Sequence, residues 1–139
     1  MQTNYKFKLG IALVFDGLEL DLHNIYYFVG LEYSLEKQTA KLLWTRGSGE
    51  RIKETLPRNV EIQFERVTVF EFHPRDPEMP FSEDDCLDVA GHLPDEEWCA
   101  GKVIETDGEP DPNWKVAFRF WSGAIVALNA EIGTARVKP

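Results

Sequence analysis

The sequence predicts a mainly β fold, an antiparallel sheet closed or folded into a barrel or sandwich of about eight to nine short strands. Three observations carry this. An alternating run over residues 7 to 22 is split by Asp16-Gly17, a second alternating block spans residues 60 to 72, and a third is folded about Ser122-Gly123. At 139 residues and 43% hydrophobic content the chain is one domain, residues 1 to 139, able to bury a core without a metal or a disulfide.

The first hairpin has the clearest local chemistry. "FKLGIALVF" sets Phe7, Leu9, Ile11, Leu13 and Phe15 in one phase, and "LELDL" continues with Leu18, Leu20 and Leu22. Asp-Gly favours a two-residue type I′ turn, which places Phe15 opposite Leu18 and both apolar sets on one face. "YYFVGLEYSL" then reads as a strand with Tyr27, Val29, Leu31, Tyr33 and Leu35 in phase, followed through "EKQT" by "AKLLWTR". A helix over 33 to 44 competes, because Leu35, Thr39, Leu42 and Leu43 also fit a helical stripe; the β-rich neighbours favour strands. "GSGERIKETLPRN" is a long polar loop.

In "VEIQFERVTVFEF" the residues Val60, Ile62 and Phe64 share a face. Val67 and Val69 fall in the opposite phase, and Phe70 and Phe72 return to the first. Such a slip predicts a bulge or bend near Arg66, or else two short strands with a tight connection. Residues 73 to 114 hold six of the eight prolines. Within them "SEDDCLDVAGHL" predicts a short helix near 82 to 91, with Ser82 as N-cap, acids in the first turn and Gly91 at the end. "GKVIET" reads as one short strand. "WKVAFRFW" and "AIVALNAEI" form the C-terminal hairpin, apolar on both faces and hence covered on both sides, and "TARVK" adds a last strand.

Charge is unevenly placed. The chain carries a net −9, yet residues 71 to 111 alone hold fourteen acids against Arg75 and Lys102. An acidic surface can steer a basic partner, and it disfavours nucleic acid, whose phosphates need a basic face. Its plain physical role is solubility. No apolar run is long enough for a membrane span, and no apolar stretch follows the lysines of "MQTNYKFKLG" as in a signal peptide; the expected setting is the cytoplasm. There Cys86 and Cys99 are expected as reduced thiols.

His73, Asp76, Glu83, Asp84, Asp85, Cys86, His92 and Cys99 crowd one region, but their spacing fits neither a zinc pattern nor a calcium loop. The expectation is no metal and no cofactor. Cys86 and His92 lie six apart, which on a helix turns them to different faces. "FWSGA" is a hairpin turn and "RGSGER" a flexible loop lacking the ending of a P-loop. No catalytic residue is assigned. Trp98 and Trp114, both out of periodicity, serve either as anchors for a basic partner or as pins that hold a loop on the sheet.

The two blocks "VEIQFERVTVFEF" and "VAFRFWSGAIVALNAE" resemble small bacterial β-rich proteins of the toxin-immunity type. The resemblance implies binding to a basic toxin with no chemistry of the chain's own. The expected function is therefore a non-enzymatic binding protein engaging a basic protein through Asp84, Asp85, Asp88, Asp95, Glu96, Glu97 and Trp98. Two alternatives remain. A cavity would mark a small-molecule-binding barrel or an enzyme, and an exposed strand edge in the C-terminal hairpin would invite a homodimer.

Overall fold

The computed structural model describes residues 1–95, 101–105 and 111–138. Among them the chain forms twelve strands and no α-helix. A five-stranded sheet has the order β1-β12-β7-β6-β5, built from β1 (Gln2–Thr3), β12 (Ile132–Lys138), β7 (Asn59–Glu65), β6 (Thr39–Arg46) and β5 (Tyr26–Ser34). A four-stranded sheet has the order β8-β11-β10-β9, from β8 (Val69–His73), β11 (Ile125–Asn129), β10 (Lys115–Phe120) and β9 (Leu87–Leu93). A three-stranded sheet joins β2 (Lys6–Lys8), β3 (Ala12–Phe15) and β4 (Leu18–Asp21). All pairings are antiparallel except β1 with β12. Among the described residues no sheet closes on itself, so the barrel expectation is not met.

The Asp16-Gly17 hairpin forms as the alternation requires. Phe15 pairs with Leu18 and Leu13 with Leu20, and both turn residues have positive φ, 49° and 75°. The alternating run before it is not one strand, however. It breaks at Leu9 and Gly10, both at positive φ, where the Ile11 N–H donates to the Lys8 carbonyl at 3.2 Å. Leu9 is thus an exposed turn residue.

β5 shows a second departure. Tyr26 is buried and Phe28 packs on the core, while Tyr27 and Val29 face solvent. A bulge between Phe28 and Gly30 then shifts the phase, and Leu31 packs inward opposite Leu42. β6 is a strand, as its β-rich neighbours favoured, with Ala40, Leu42 and Trp44 fully buried. Near Arg66 (φ 52°) the chain makes a tight connection between two strands, and these belong to different sheets.

The helix expected near 82 to 91 does not form. Phe81–Asp85 is a single 3-10 turn without a side-chain cap from Ser82, and Leu87–Leu93 is strand β9. The physical reason is β10, whose free edge takes up the backbone of this segment from Leu87↔Phe120 to Leu93↔Lys115. The expected strand at "GKVIET" is reduced to one antiparallel bridge between Ile104 and His92.

The main core lies between the two larger sheets. Trp44 and Phe64 from one sheet meet Phe118 of the other at ring distances of 6.1 and 6.2 Å. β10 and β11 do carry apolar residues on both faces. Phe118, Phe120, Val126 and Leu128 join the main core, and Ala117 and Ala127 join a smaller cluster with Leu93 and Val103. Both strands are interior to their sheet, so the C-terminal hairpin offers no open edge for a second copy. Among the described residues no helix is long and apolar enough to cross a membrane.

Candidate binding cleft

A cavity of about 700 Å³ opens where the N-terminal hairpin leans over the four-stranded sheet. Its wall is the hairpin segment Tyr5 to Gly10, its floor is Ala90–His92 of β9 with Val116 and Phe118 of β10, and its rim is Asp111 to Trp114 together with Asn129 to Glu131. The wall is tied to the floor in two ways. The Ala90 N–H donates to the Gly10 carbonyl at 2.7 Å, and the Phe7 ring meets Phe118 edge-on at 5.9 Å. Tyr5 meets Phe7 in the same manner at 5.9 Å, so a run of aromatic rings leads from the core to the cavity.

Segment 103–105 closes one side. Ile104 exchanges two backbone hydrogen bonds with His92, at 2.9 and 2.8 Å. This close approach needs Gly91, since a Cβ there would stand 2.1 Å from the Ile104 carbonyl oxygen. Gly10 plays the same part for the next residue, because its Cβ would lie 2.6 Å from Glu105 Oε1. Burial pushes the His92 imidazole below its ordinary range, which keeps it neutral, and pushes the Tyr5 phenol up, which keeps it protonated. The cavity lining is mixed, with Phe7, Phe118 and Trp114 beside Lys6, Glu105 and Asn129, and is more polar than that of most small-molecule sites.

The seven residues expected to bind a partner lie elsewhere. Asp84 accepts from Arg75 Nε at 3.0 and 2.9 Å and pairs with its Nη2; these bonds, with a smaller one from Ser122, hold its carboxyl below the usual range. Asp88 accepts from Arg119 at 2.9 and 2.5 Å. Asp95 pairs with Lys115 Nζ at 3.1 Å. Burial alone would lower the Lys115 pKa, but the hydrogen bonds its ammonium donates to Asp95 and Glu71 outweigh that and raise it. Glu96, Glu97 and Trp98 lie outside the described residues. Asp85 forms no ion pair among the described residues. With Asp84 it borders a smaller cleft of about 240 Å³, floored by Phe28 and Phe120 and flanked by the exposed rings of Phe72 and Phe81. Arg75 lies over the Phe81 ring at 4.1 Å from its centroid.

Cys86 has a neighbour that chain spacing did not suggest. Its Sγ is 3.6 Å from Nδ1 of His23, which arrives from the end of β4. Among the described residues no group of three or more His, Cys, Asp or Glu is placed to hold a metal ion. Of the cavity residues, Trp114 stood out by its place outside any periodicity, His92 as one of a crowd of titratable residues, and Phe7 and Leu9 only as part of an alternating run. Tyr5 and Glu105 come from separate segments, and no local pattern marks them. No protein-family model, curated protein or solved structure matches this chain.

Proposed function

We propose that the protein is a non-enzymatic binding protein whose ligand is a small molecule held in the cavity between the N-terminal hairpin and the four-stranded sheet. The observation that carries this reading is the cavity's size, about 700 Å³, within the roughly 300–1,000 Å³ of ligand pockets, together with its aromatic and mixed polar lining. Three of the expected docking acids are already neutralised within the chain by Arg75, Arg119 and Lys115, which leaves less free charge for a partner. The test is titration of the labelled protein with 2-phenylethanol, a neutral aryl probe, followed by amide chemical shifts. Perturbations grouped at Tyr5, Gly10, His92 and Trp114 are expected. Saturating probe with no shifts there would overturn the reading.

A second reading keeps the acidic surface as a dock for a basic protein such as a toxin. What favours it is the smaller cleft, where Asp85, which makes no ion pair among the described residues, stands near Phe72, 57% exposed, while Phe81 already carries Arg75 over its ring. An exposed aromatic next to a carboxylate suits an arginine-bearing partner. Neutralising Asp95, Glu96 and Glu97 together is expected to leave folding intact and to weaken capture of a basic partner. Unchanged capture with unchanged salt dependence removes this reading.

A further inference from the structure

We propose, building on the cavity reading, that the ligand is an amphipathic amine, an aromatic or apolar body bearing one protonated nitrogen, with Glu105 as its head-group partner. The sign of the charge around the cavity is the first argument. Among the described residues its lining holds three carboxylates, Glu105, Asp111 and Glu131, against two residues that carry an ammonium, Lys6 and the N-terminal Met1. His92 brings no positive charge at neutral pH, because burial lowers its pKa. The balance is a small excess of carboxylate, which favours an ammonium over a carboxylate ligand only slightly, so the choice rests on where the individual acids stand.

The second argument is how Glu105 reaches the cavity. Its predecessor is pinned to His92 by two backbone hydrogen bonds, and two glycines make room for the approach. Among the three carboxylates the demands differ. Glu131 pairs with Arg66 at 3.2 Å, and Asp111 accepts from the Asn113 N–H at 2.9 Å. Glu105 makes no ion pair among the described residues. It is a positioned acid with its charge unspent, beside a cavity that can hold an apolar body.

The third argument is the wall opposite. Tyr5, Phe7 and Trp114 line the cavity, and aromatic faces accept both an aryl group and a nearby cation. An amine gains from the carboxylate and from the rings; a neutral analogue gains from the rings alone.

Three probes of similar skeleton test this by calorimetry or chemical-shift titration: 2-phenylethylamine, 2-phenylethanol and 3-phenylpropanoate. The amine is expected to bind about tenfold tighter than the alcohol, and the acid weakest. Raising NaCl from about 20 mM to about 500 mM should shrink the amine's advantage and leave the alcohol unchanged. Glu105→Gln, an exposed substitution that spares the fold, should bring the amine to the affinity of the alcohol. An alcohol or acid that binds as tightly as the amine overturns the assignment of ligand class while leaving the cavity reading standing. An amine advantage that survives both Glu105→Gln and Asp111→Asn overturns the assigned head-group partner. If none of the three probes binds, the cavity reading itself falls.

Discussion

Cys86 beside His23 has the composition of a nucleophilic pair and the electrostatics of an inert one. Nδ1 of His23 lies 2.5 Å from the Leu87 carbonyl, which can only accept, so the proton sits on the nitrogen that faces the sulfur. Burial raises the thiol pKa, and the carboxylates of Asp85, Glu83, Asp88 and Asp21 raise it further. In a Cys99→Ser chain, iodoacetamide should therefore alkylate folded Cys86 several-fold more slowly than the urea-unfolded chain; equal rates would mean an accessible thiolate. His92 gives a pH dependence whose sign follows from burial. Its folded pKa lies below the ordinary 6.5, so the unfolded state binds the proton first as pH falls. Its contribution to stability is complete above about pH 6.5 and is lost as pH falls toward the folded value. Urea midpoints at pH 7 and pH 5 should differ less in His92→Gln than in the parent chain. The depressed carboxyls of Asp84 and Glu71 have the same sign but act in the acid range below that window.

At the scale of elements, β9 shows how a local pattern misleads. Leu87, Ala90 and Leu93 are buried at three-residue intervals, which reads as a helical stripe behind an acidic cap. In the strand the same spacing has another origin. Leu87 and Ala90 join the main core, while Leu93 falls on the opposite face in the smaller cluster, and a register irregularity between Arg119 and Phe120 adjusts the phase. Two substitutions separate the cases. Ser82→Ala should change stability by less than about 0.5 kcal/mol, whereas loss of a true N-cap costs about 1 kcal/mol. Gly91→Ala should cost about 1–3 kcal/mol, because the added methyl meets the Ile104 backbone. A helix ended by Gly91 would lose less, at most about 1 kcal/mol. The bulge at Val29 has the same lesson for β5: alternation was visible there, but which phase faced inward was not, since the bulge swaps faces midway. Where turn chemistry and pattern agreed, as at Asp16-Gly17, register and face were both legible.

On the scale of the whole molecule, Phe118 joins the parts. Its ring meets Phe7 of the N-terminal hairpin, Trp44 of β6 and Phe64 of β7. Phe118→Ala should cost about 3–5 kcal/mol, and if the three sheets share one cooperative core, far- and near-ultraviolet circular dichroism should follow a single transition before and after the change. Separate transitions would show that the hairpin sheet unfolds by itself. The acidic region also looks different at this scale. Along the chain it is a run of carboxylates. In the fold Asp84, Asp88 and Asp95 meet Arg75, Arg119 and Lys115, and the pairs Asp88–Arg119 and Asp95–Lys115 join residues 31 and 20 positions apart that chain order could not connect. Residues 33 to 44 fitted strand or helix until the fold made 39–46 a strand, while the β class, the hairpins at Asp16-Gly17 and Ser122-Gly123 and the two-faced C-terminal hairpin were legible in the sequence by itself. Those rest on alternation and turn geometry, which act between near neighbours. The tertiary structure decided the strand character of 87–93, the phase of β5, the pairing of the acids, and a cavity assembled from Tyr5, His92, Glu105 and Trp114. Each of these depends on which segments meet across the sheet, and the free energy that selects a partner edge or a burial face is non-local.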